Sequence, residues 1–183
     1  MRVLGAILAG GKSSRFGSDK CDLVIGGKRL IDHAIDALAY QVDVLVICGR
    51  WEEGLLSLDD QPHPGLGPLG GLNAALRHAN ANGFEAVLST PADVVPLPSD
   101  LLSRLHCPGP THLFNQHAVG CWPASLADAL SEHLAQGNRS VKSWNAVSRS
   151  MAVDDGDLGL YNLNEPKSLD AVSRRLQESV KSI

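Results

Sequence analysis

Residues 3–20 read VLGAILAGGKSSRFGSDK, in which a short apolar run passes directly into a glycine-rich loop. The run over residues 3–8 has the length and composition of one buried strand. Adjacent glycines at Gly10 and Gly11 let the backbone approach a ligand closely. The loop also concentrates positive charge, through Lys12, Arg15 and Lys20. Backbone N–H groups and cations at the carboxyl end of a first strand are typical of a triphosphate site.

Two familiar phosphate loops do not match this stretch. A Walker A loop requires a glycine five positions before Gly11, where this chain has Ala6. The dinucleotide fingerprint fails because no third glycine follows Gly10 and Gly11 at the required spacing. The structural alternative is a basic, glycine-rich turn that ends an ordinary strand and binds nothing.

The composition is that of an ordinary globular chain. Its 183 residues are 44% hydrophobic and 20% charged, which predicts a single domain over residues 1–183 with a real core. The net charge of −4 argues against a general nucleic-acid partner. No segment approaches the roughly 20 apolar residues of a membrane span, and the first strand leaves no room for a signal peptide. We therefore expect a cytoplasmic protein without a membrane partner.

The four cysteines are widely spaced at Cys21, Cys48, Cys107 and Cys121. Their spacing indicates neither a disulfide framework nor a zinc ribbon. Reduced thiols are the expectation.

Apolar periodicity alternates between strand and helix along the chain, which predicts an α/β fold. The predicted strands are 3–8, 42–48, 86–89, 111–114 and 118–122, and the predicted helices are 29–40, 68–82, 99–105, 126–137 and a terminal helix after Pro166. Residues 51–58 are expected to be irregular. Such alternation favours a single three-layer domain with a mostly parallel sheet and helices on both faces. The segment 107–122 interrupts the alternation and is expected to add an antiparallel element.

Three unusual segments fall where the strands of such a sheet end, which is where ligands bind. They are the Gly10 loop, residues 60–71 and Asp93. The run GLGPLGG over residues 65–71 opens a helix with little side-chain bulk, so that a base or phosphate can lie on its backbone. Asp93 follows a buried strand and is suited to hold Mg²⁺ with substrate phosphates completing the oxygen shell. The alternative for Asp93 is a turn or helix-cap aspartate, but the cationic loop opposite favours the metal.

The chain resembles the molybdenum cofactor guanylyltransferases, within the wider nucleotidyltransferase group. The matching motifs occur in the family's order: LAGG at 8–11, RFG at 15–17, DK at 19–20, Asp60, GPLGG at 67–71, PAD at 91–93 and NLNEP at 162–166. The first motif alone indicates only the wider group. Together with GPLGG and NLNEP it is fairly specific, and the motifs span nearly the whole chain. The resemblance implies a Rossmann-like nucleotidyltransferase fold.

The resemblance also implies roles for residues. The nucleotide would lie on Leu8, Ala9, Gly10, Gly11, Gly67, Pro68, Leu69 and Gly70. Lys20 would meet phosphate, Asp60 would recognise the base or ribose of GTP, and Asp93 would bind nucleotide and Mg²⁺ together. The pterin substrate would lie against Arg139, Asn162 and Asn164. The catalytic set is then Lys12, Arg15, Lys20 and Asp93.

The implied reaction transfers GMP from GTP to the phosphate of the molybdopterin cofactor and releases pyrophosphate. Enzymes that make or receive the cofactor are the implied protein partners. One departure from the family pattern is the strand end Ile47-Cys48-Gly49, which lacks an asparagine that some relatives use to contact GTP. Three alternatives stay open at this point: a cytidylyltransferase acting on the same pterin, another small-phosphate nucleotidyltransferase, and a non-catalytic nucleotide-binding module.

Overall fold

The computed structural model describes residues 1–10, 20–105 and 109–163. Its strands are β1 (Val3–Leu8), β2 (Val24–Ile25), β3 (Lys28–Arg29), β4 (Val44–Cys48), β5 (Leu56–Leu58), β6 (Ala86–Pro91), β7 (Val94–Val95), β8 (Thr111–Leu113), β9 (Gly120–Pro123), β10 (Met151–Val153) and β11 (Tyr161–Asn162). The helices are α1 (Leu30–Ala39), α2 (Pro68–Ala81), α3 (Leu101–Leu105), α4 (Ala127–Ala135) and α5 (Val141–Val147). Two 3₁₀ turns cover Lys20–Asp22 and Ala124–Leu126.

Seven strands form one sheet in the order β10-β8-β9-β6-β1-β4-β5. Strands β6, β1, β4 and β5 run parallel to one another. Strand β9 runs antiparallel to both β6 and β8, which confirms the antiparallel element predicted within residues 107–122. The sheet is therefore mostly parallel, and the parallel half brings the carboxyl ends of four strands to one edge.

Helices cover both faces of this sheet because the side chains of each strand alternate between two cores. Leu4, Ala6 and Leu8 of β1 pack with α2, α4 and α5. Val3 and Ile7 of the same strand pack on the opposite face with α1 and α3. The predicted three-layer arrangement is confirmed. Within the ranges that the structure describes, no helix has both the length and the apolar character needed to cross a membrane.

Several local predictions are wrong. Residues 51–58 were expected to be irregular, yet Leu56–Leu58 forms β5 at the sheet edge. Neither α5 nor β10 was predicted, since both are short and partly exposed. The predicted terminal helix after Pro166 lies outside the described residues. The expectation of reduced thiols is wrong at Cys121, which is disulfide-bonded, because a fold can bring cysteines together whatever their sequence spacing. Cys21 and Cys48 are free and buried.

Candidate active site

Backbone hydrogen bonds tie the carboxyl ends of the four parallel strands together. They join the Ala92 N–H to the Leu8 carbonyl (3.2 Å), the Ala9 N–H to the Cys48 carbonyl (2.9 Å) and the Gly49 N–H to the Leu58 carbonyl (2.9 Å). The residues that directly follow these strands therefore share one edge of the sheet. Asp93, Gly10 and Asp60 all lie there, as the sequence predicted.

The Asp60 side chain packs against three glycines, Gly10, Gly70 and Gly71. A Cβ atom built on Gly10 would stand 3.3 Å from Asp60 Oδ1 and 3.4 Å from Oδ2. One built on Gly70 would stand 3.1 Å from both Cβ and Cγ of Asp60, and one built on Gly71 would stand 3.5 Å from Oδ1. The carboxylate thus lies between the end of β1 and the first turn of α2. A side chain at Gly10 or Gly70 would crowd it.

Burial raises the pKa of the Asp60 carboxyl above its ordinary value, and the neighbouring Asp59 raises it further. A hydrogen bond from the Gly65 backbone N–H acts in the opposite direction and lowers that pKa. A carboxylate in this environment is poorly solvated. It therefore interacts strongly with any hydrogen-bond donor that a ligand brings to it.

Helix α2 begins beside Asp60. Pro68 occupies its first turn, as the sequence predicted, and its fixed φ with no N–H suits that position. The Gln61 N–H donates to the Gly70 carbonyl at 3.1 Å, and the side-chain amide of Asn73 donates to the Gln61 carbonyl at 3.3 Å. These two contacts hold the segment after Asp60 against the helix. Gly67 and Pro68 are exposed at this end of α2, whereas Leu69 is buried in the core below.

Gly49 packs directly against Gly10, a contact that the sequence did not predict. Its φ is +84°, and a Cβ built on it would stand 2.3 Å from Gly10 Cα. A side chain at this position therefore has no room against Gly10. The available sequence signal was a glycine placed directly after the buried strand β4.

We expect Gly49→Ala to lower the free energy of unfolding by more than about 2 kcal/mol, because it adds a backbone clash to left-handed strain. The matched control is Gly54→Ala, whose φ is +79° but whose added Cβ meets nothing within 4 Å. That control carries the strain alone, about 1 kcal/mol. Thermal denaturation of both variants checks the difference. Equal destabilisation would show that the contact between Gly10 and Gly49 is not tight.

Asp93 and Lys20 form the second part of the site. The Lys20 Nζ lies 3.8 Å from Asp93 Oδ2, and the two side chains are only 16% and 22% exposed. Burial raises the pKa of the Asp93 carboxyl, while the Lys20 ammonium partly offsets this and lowers it. A half-buried carboxylate and a cation thus face each other at the end of β6, as the sequence predicted.

Asn162 lies close to Asp93 in the backbone. Strand β11 pairs antiparallel with β7, which places Asn162 opposite Val94. The Leu163 N–H also donates to the Asp93 carbonyl at 3.0 Å. The start of the NLNEP motif therefore lies beside the PAD motif that contains Asp93.

The remaining predicted residues do not all fall in this centre. Arg139 is exposed on the segment between α4 and α5. Among the described residues, no hydrogen bond or ion pair joins it to Asp60 or Asp93. Four predicted site residues lie outside the described ranges: Gly11, Lys12, Arg15 and Asn164.

The donor set of the site suits a metal that arrives with its ligand. No cluster of three or more His, Cys, Asp or Glu side chains that could hold a metal occurs within residues 1–10, 20–105 and 109–163. Asp93, beside Lys20, offers one partly buried carboxylate instead. Mg²⁺ is commonly bound by one or two carboxylates together with substrate phosphates and water, so the residues present fit this ion.

Lys20→Ala is expected to move the acid limb of the pH–activity profile to higher pH. The reason is that Lys20 lowers the pKa of Asp93, so its loss raises that pKa and the carboxylate is protonated at higher pH. The profile of kcat/KM against pH, which reports groups of the free enzyme, checks this. An unmoved acid limb, in a variant that is still folded, would contradict the coupling of these two groups.

The overall architecture matches solved nucleotidyltransferases. A nucleotidyl transferase from Methanothermobacter has a TM-score of 0.72 at 18% identity, with 97% of this chain and 99% of that chain covered. The molybdopterin-guanine dinucleotide biosynthesis protein A from Archaeoglobus fulgidus has a TM-score of 0.71 at 23% identity, with 96% and 99% covered. At these identities the likeness shows the fold alone. The fold of this chain is therefore the one that these solved nucleotidyltransferases share.

The sequence comparison is more specific. Residues 5–151 match the family described as the MobA-like NTP transferase domain, and the chain belongs to that family. A molybdenum cofactor guanylyltransferase from Acidiphilium cryptum is 35% identical, with 90% of this chain and 91% of the relative covered. One from Rhodobacter capsulatus is 32% identical, with 98% and 99% covered. The family resemblance inferred from the sequence motifs is confirmed.

Proposed function

We propose that this protein transfers GMP from GTP to the terminal phosphate of the molybdopterin cofactor, giving the guanine dinucleotide form and pyrophosphate. The observation that carries the proposal is the Asp60 carboxylate, held against the backbone of Gly10, with the pair of Lys20 and Asp93 at the same edge of the sheet. The relatives that match over most of the chain are molybdenum cofactor guanylyltransferases, which agrees with this reaction.

The chemistry of Asp60 favours guanine. An ionised carboxylate only accepts hydrogen bonds and has two oxygens for them. The Watson–Crick edge of guanine offers two adjacent donors, its ring N–H and its amino group. Cytosine and adenine place an amino donor beside an acceptor nitrogen, which a carboxylate oxygen repels. Asp60 therefore pairs with guanine through two bonds and with the other bases through at most one.

The phosphates would lie at the other end of the site. Strands β4 and β5 lie on one side of β1, and β6 lies on the other. Asp60 follows β5 and Asp93 follows β6, so the two carboxylates stand on opposite sides of the end of β1. A nucleotide that lies across Gly10 presents its base to Asp60 and its phosphates to Lys20 and Asp93. We propose that Asp93 holds Mg²⁺, which when bound supplies charge neutralisation at the transferred phosphoryl group. Lys20 then exchanges its contact with Asp93 for contacts with phosphate oxygens.

The transfer step needs no general base on the protein. An oxygen of the acceptor phosphate, already ionised at neutral pH, forms a bond to the α-phosphorus of GTP. The bond from that phosphorus to the α,β-bridging oxygen breaks, and pyrophosphate leaves with the electron pair. Both reactants are anions, so the residues of the chain act by positioning and by neutralising charge. We include Lys12 and Arg15 in this role on the strength of the sequence motif.

The pterin would approach from the side of Asn162. Because Asn162 pairs opposite Val94, one residue from Asp93, it borders the place where the α-phosphate must react. We propose Asn162 and Asn164 as contacts for the acceptor, with Arg139 providing charge at its periphery. Enzymes that make or receive the cofactor are then the natural protein partners.

The proposal is tested by pyrophosphate release from GTP in the presence of Mg²⁺ and purified molybdenum cofactor. We expect release that depends on both substrates and stops when Mg²⁺ is chelated. Faster release from CTP would favour a cytidylyltransferase. Nucleotide binding without any release would favour a carrier or regulatory module.

A further inference from the structure

A network of five charged side chains lies beside the phosphate end of the site and is not part of the proposed mechanism. Two arginines, Arg29 and Arg50, bind three carboxylates, those of Asp22, Asp32 and Glu52. The members come from three separate stretches: the 3₁₀ turn Lys20–Asp22, the start of α1, and the segment that follows β4. A network of this kind joins parts of the chain that no strand or helix connects.

Glu52 is its centre. Its Oε1 accepts a hydrogen bond from Arg29 Nη2 at 2.7 Å, and its Oε2 lies 3.3 Å from Arg50 Nη2. Its side chain is only 10% exposed. Arg29 also binds Asp32 through two hydrogen bonds of 3.0 Å and 2.8 Å. One nearly buried carboxylate thus bridges both arginines, and removal of its charge would weaken the link between them and leave their two positive charges less compensated.

The network reaches the site through Asp22. Asp22 Oδ1 lies 3.2 Å from Arg50 Nη2 and 3.6 Å from Arg29 Nη1. Asp22 is the last residue of the 3₁₀ turn whose first residue is Lys20. Arg50 directly follows Gly49, which contacts Gly10. Ion pairs therefore fix the turn that carries Lys20 to the segment that packs against Gly10, on whose backbone the nucleotide is proposed to lie.

We propose that Glu52, through Arg29 and Arg50, is a positioning residue that holds the turn Lys20–Asp22 so that the Lys20 ammonium faces the phosphates beside Asp93. The inference rests on the role of Lys20 in the proposed function. Glu52 itself touches neither nucleotide nor metal, so its effect is confined to ligands that carry phosphate.

The test compares Glu52→Gln with Asp36→Asn. Asp36 forms an ion pair with Lys28, next to Arg29 in sequence, but both members of that pair are more than half exposed and neither belongs to the network. Calorimetry measures the affinity for GTP with Mg²⁺, and competition measures the affinity for guanosine. We expect Glu52→Gln to weaken GTP binding about tenfold with guanosine binding unchanged, while Asp36→Asn changes neither. Equal loss for GTP and guanosine would show a merely structural role and overturn the proposal.

A double-mutant cycle with Lys20→Ala separates the network from the proposed function. We expect Glu52→Gln to have no further effect on GTP affinity once Lys20 is gone. If Lys20→Ala weakens GTP but Glu52→Gln does not, the positioning role is wrong and the function stands. If Lys20→Ala leaves GTP affinity unchanged, the phosphate role of Lys20 fails, and the positioning role fails with it. Should Glu52→Gln not fold, Asp22→Asn tests the same link, with the same direction expected.

Discussion

Asp93→Asn is expected to lower kcat for pyrophosphate release by about 10²- to 10³-fold or more, because it removes the charge that complements Mg²⁺ and the transferred phosphoryl group. The side chain keeps its size and lies beside Lys20 in the same place. GTP affinity in the absence of Mg²⁺ should change little. Steady-state kinetics at a series of Mg²⁺ concentrations checks both statements.

Asp100→Asn is a suitable control for Asp93→Asn. Asp100 carries the same charge, but it pairs with Arg104 on the surface, away from the sheet edge. We expect this variant to keep the wild-type rate. Retained turnover in Asp93→Asn at ordinary Mg²⁺ would contradict the assignment of Asp93 as the metal ligand.

Asp60→Asn is expected to weaken GTP binding by about 10²-fold and to remove the preference for GTP over other nucleotides. The asparagine amide replaces one acceptor oxygen with a donor, which then faces a donor of guanine. Direct titration with GTP, CTP, ATP and UTP measures the change. Asp59→Asn removes the same charge one residue earlier, at an exposed position, and should leave the preference intact.

Asp60→Asn should not destabilise the free protein at neutral pH. Burial raises the pKa of this carboxyl in the folded state. Its contribution to stability is therefore present below the unfolded-state pKa and is lost as the pH rises through the folded-state value. Above that pH, asparagine removes a charge that opposes folding. A Tm equal to or above that of the wild type, combined with lost GTP binding, would show that Asp60 serves the ligand rather than the fold.

The parallel half of the fold was predictable because its strands are buried on both faces. Residues 3–8 and 44–48 read as continuous apolar runs, and Pro68 marks the start of α2. The edge strands β5 and β10 have three residues each and are partly exposed, so their sequences carry no clear pattern. Helix α5 is only seven residues long, too short for periodicity to distinguish it from a turn.

The candidate site shows the same division. Asp60 and Asp93 could be assigned from motifs because each follows a recognisable strand or precedes a glycine-rich turn. The contact between Gly10 and Gly49 could not, because it depends on the register between β1 and β4. The bridge from Glu52 to Arg29 spans 23 residues and depends on where two loops meet. Charge pairs at such separations carry no spacing rule that a sequence can display.

The most direct test offers the protein all four nucleoside triphosphates at equal concentration, together with Mg²⁺ and the molybdenum cofactor, and identifies the dinucleotide product by mass. We expect the guanine dinucleotide in large excess over the cytosine, adenine and uracil products, and we expect the excess to disappear in Asp60→Asn. A cytosine dinucleotide as the main product, or no dinucleotide at all in an enzyme that binds GTP, would contradict guanylyl transfer.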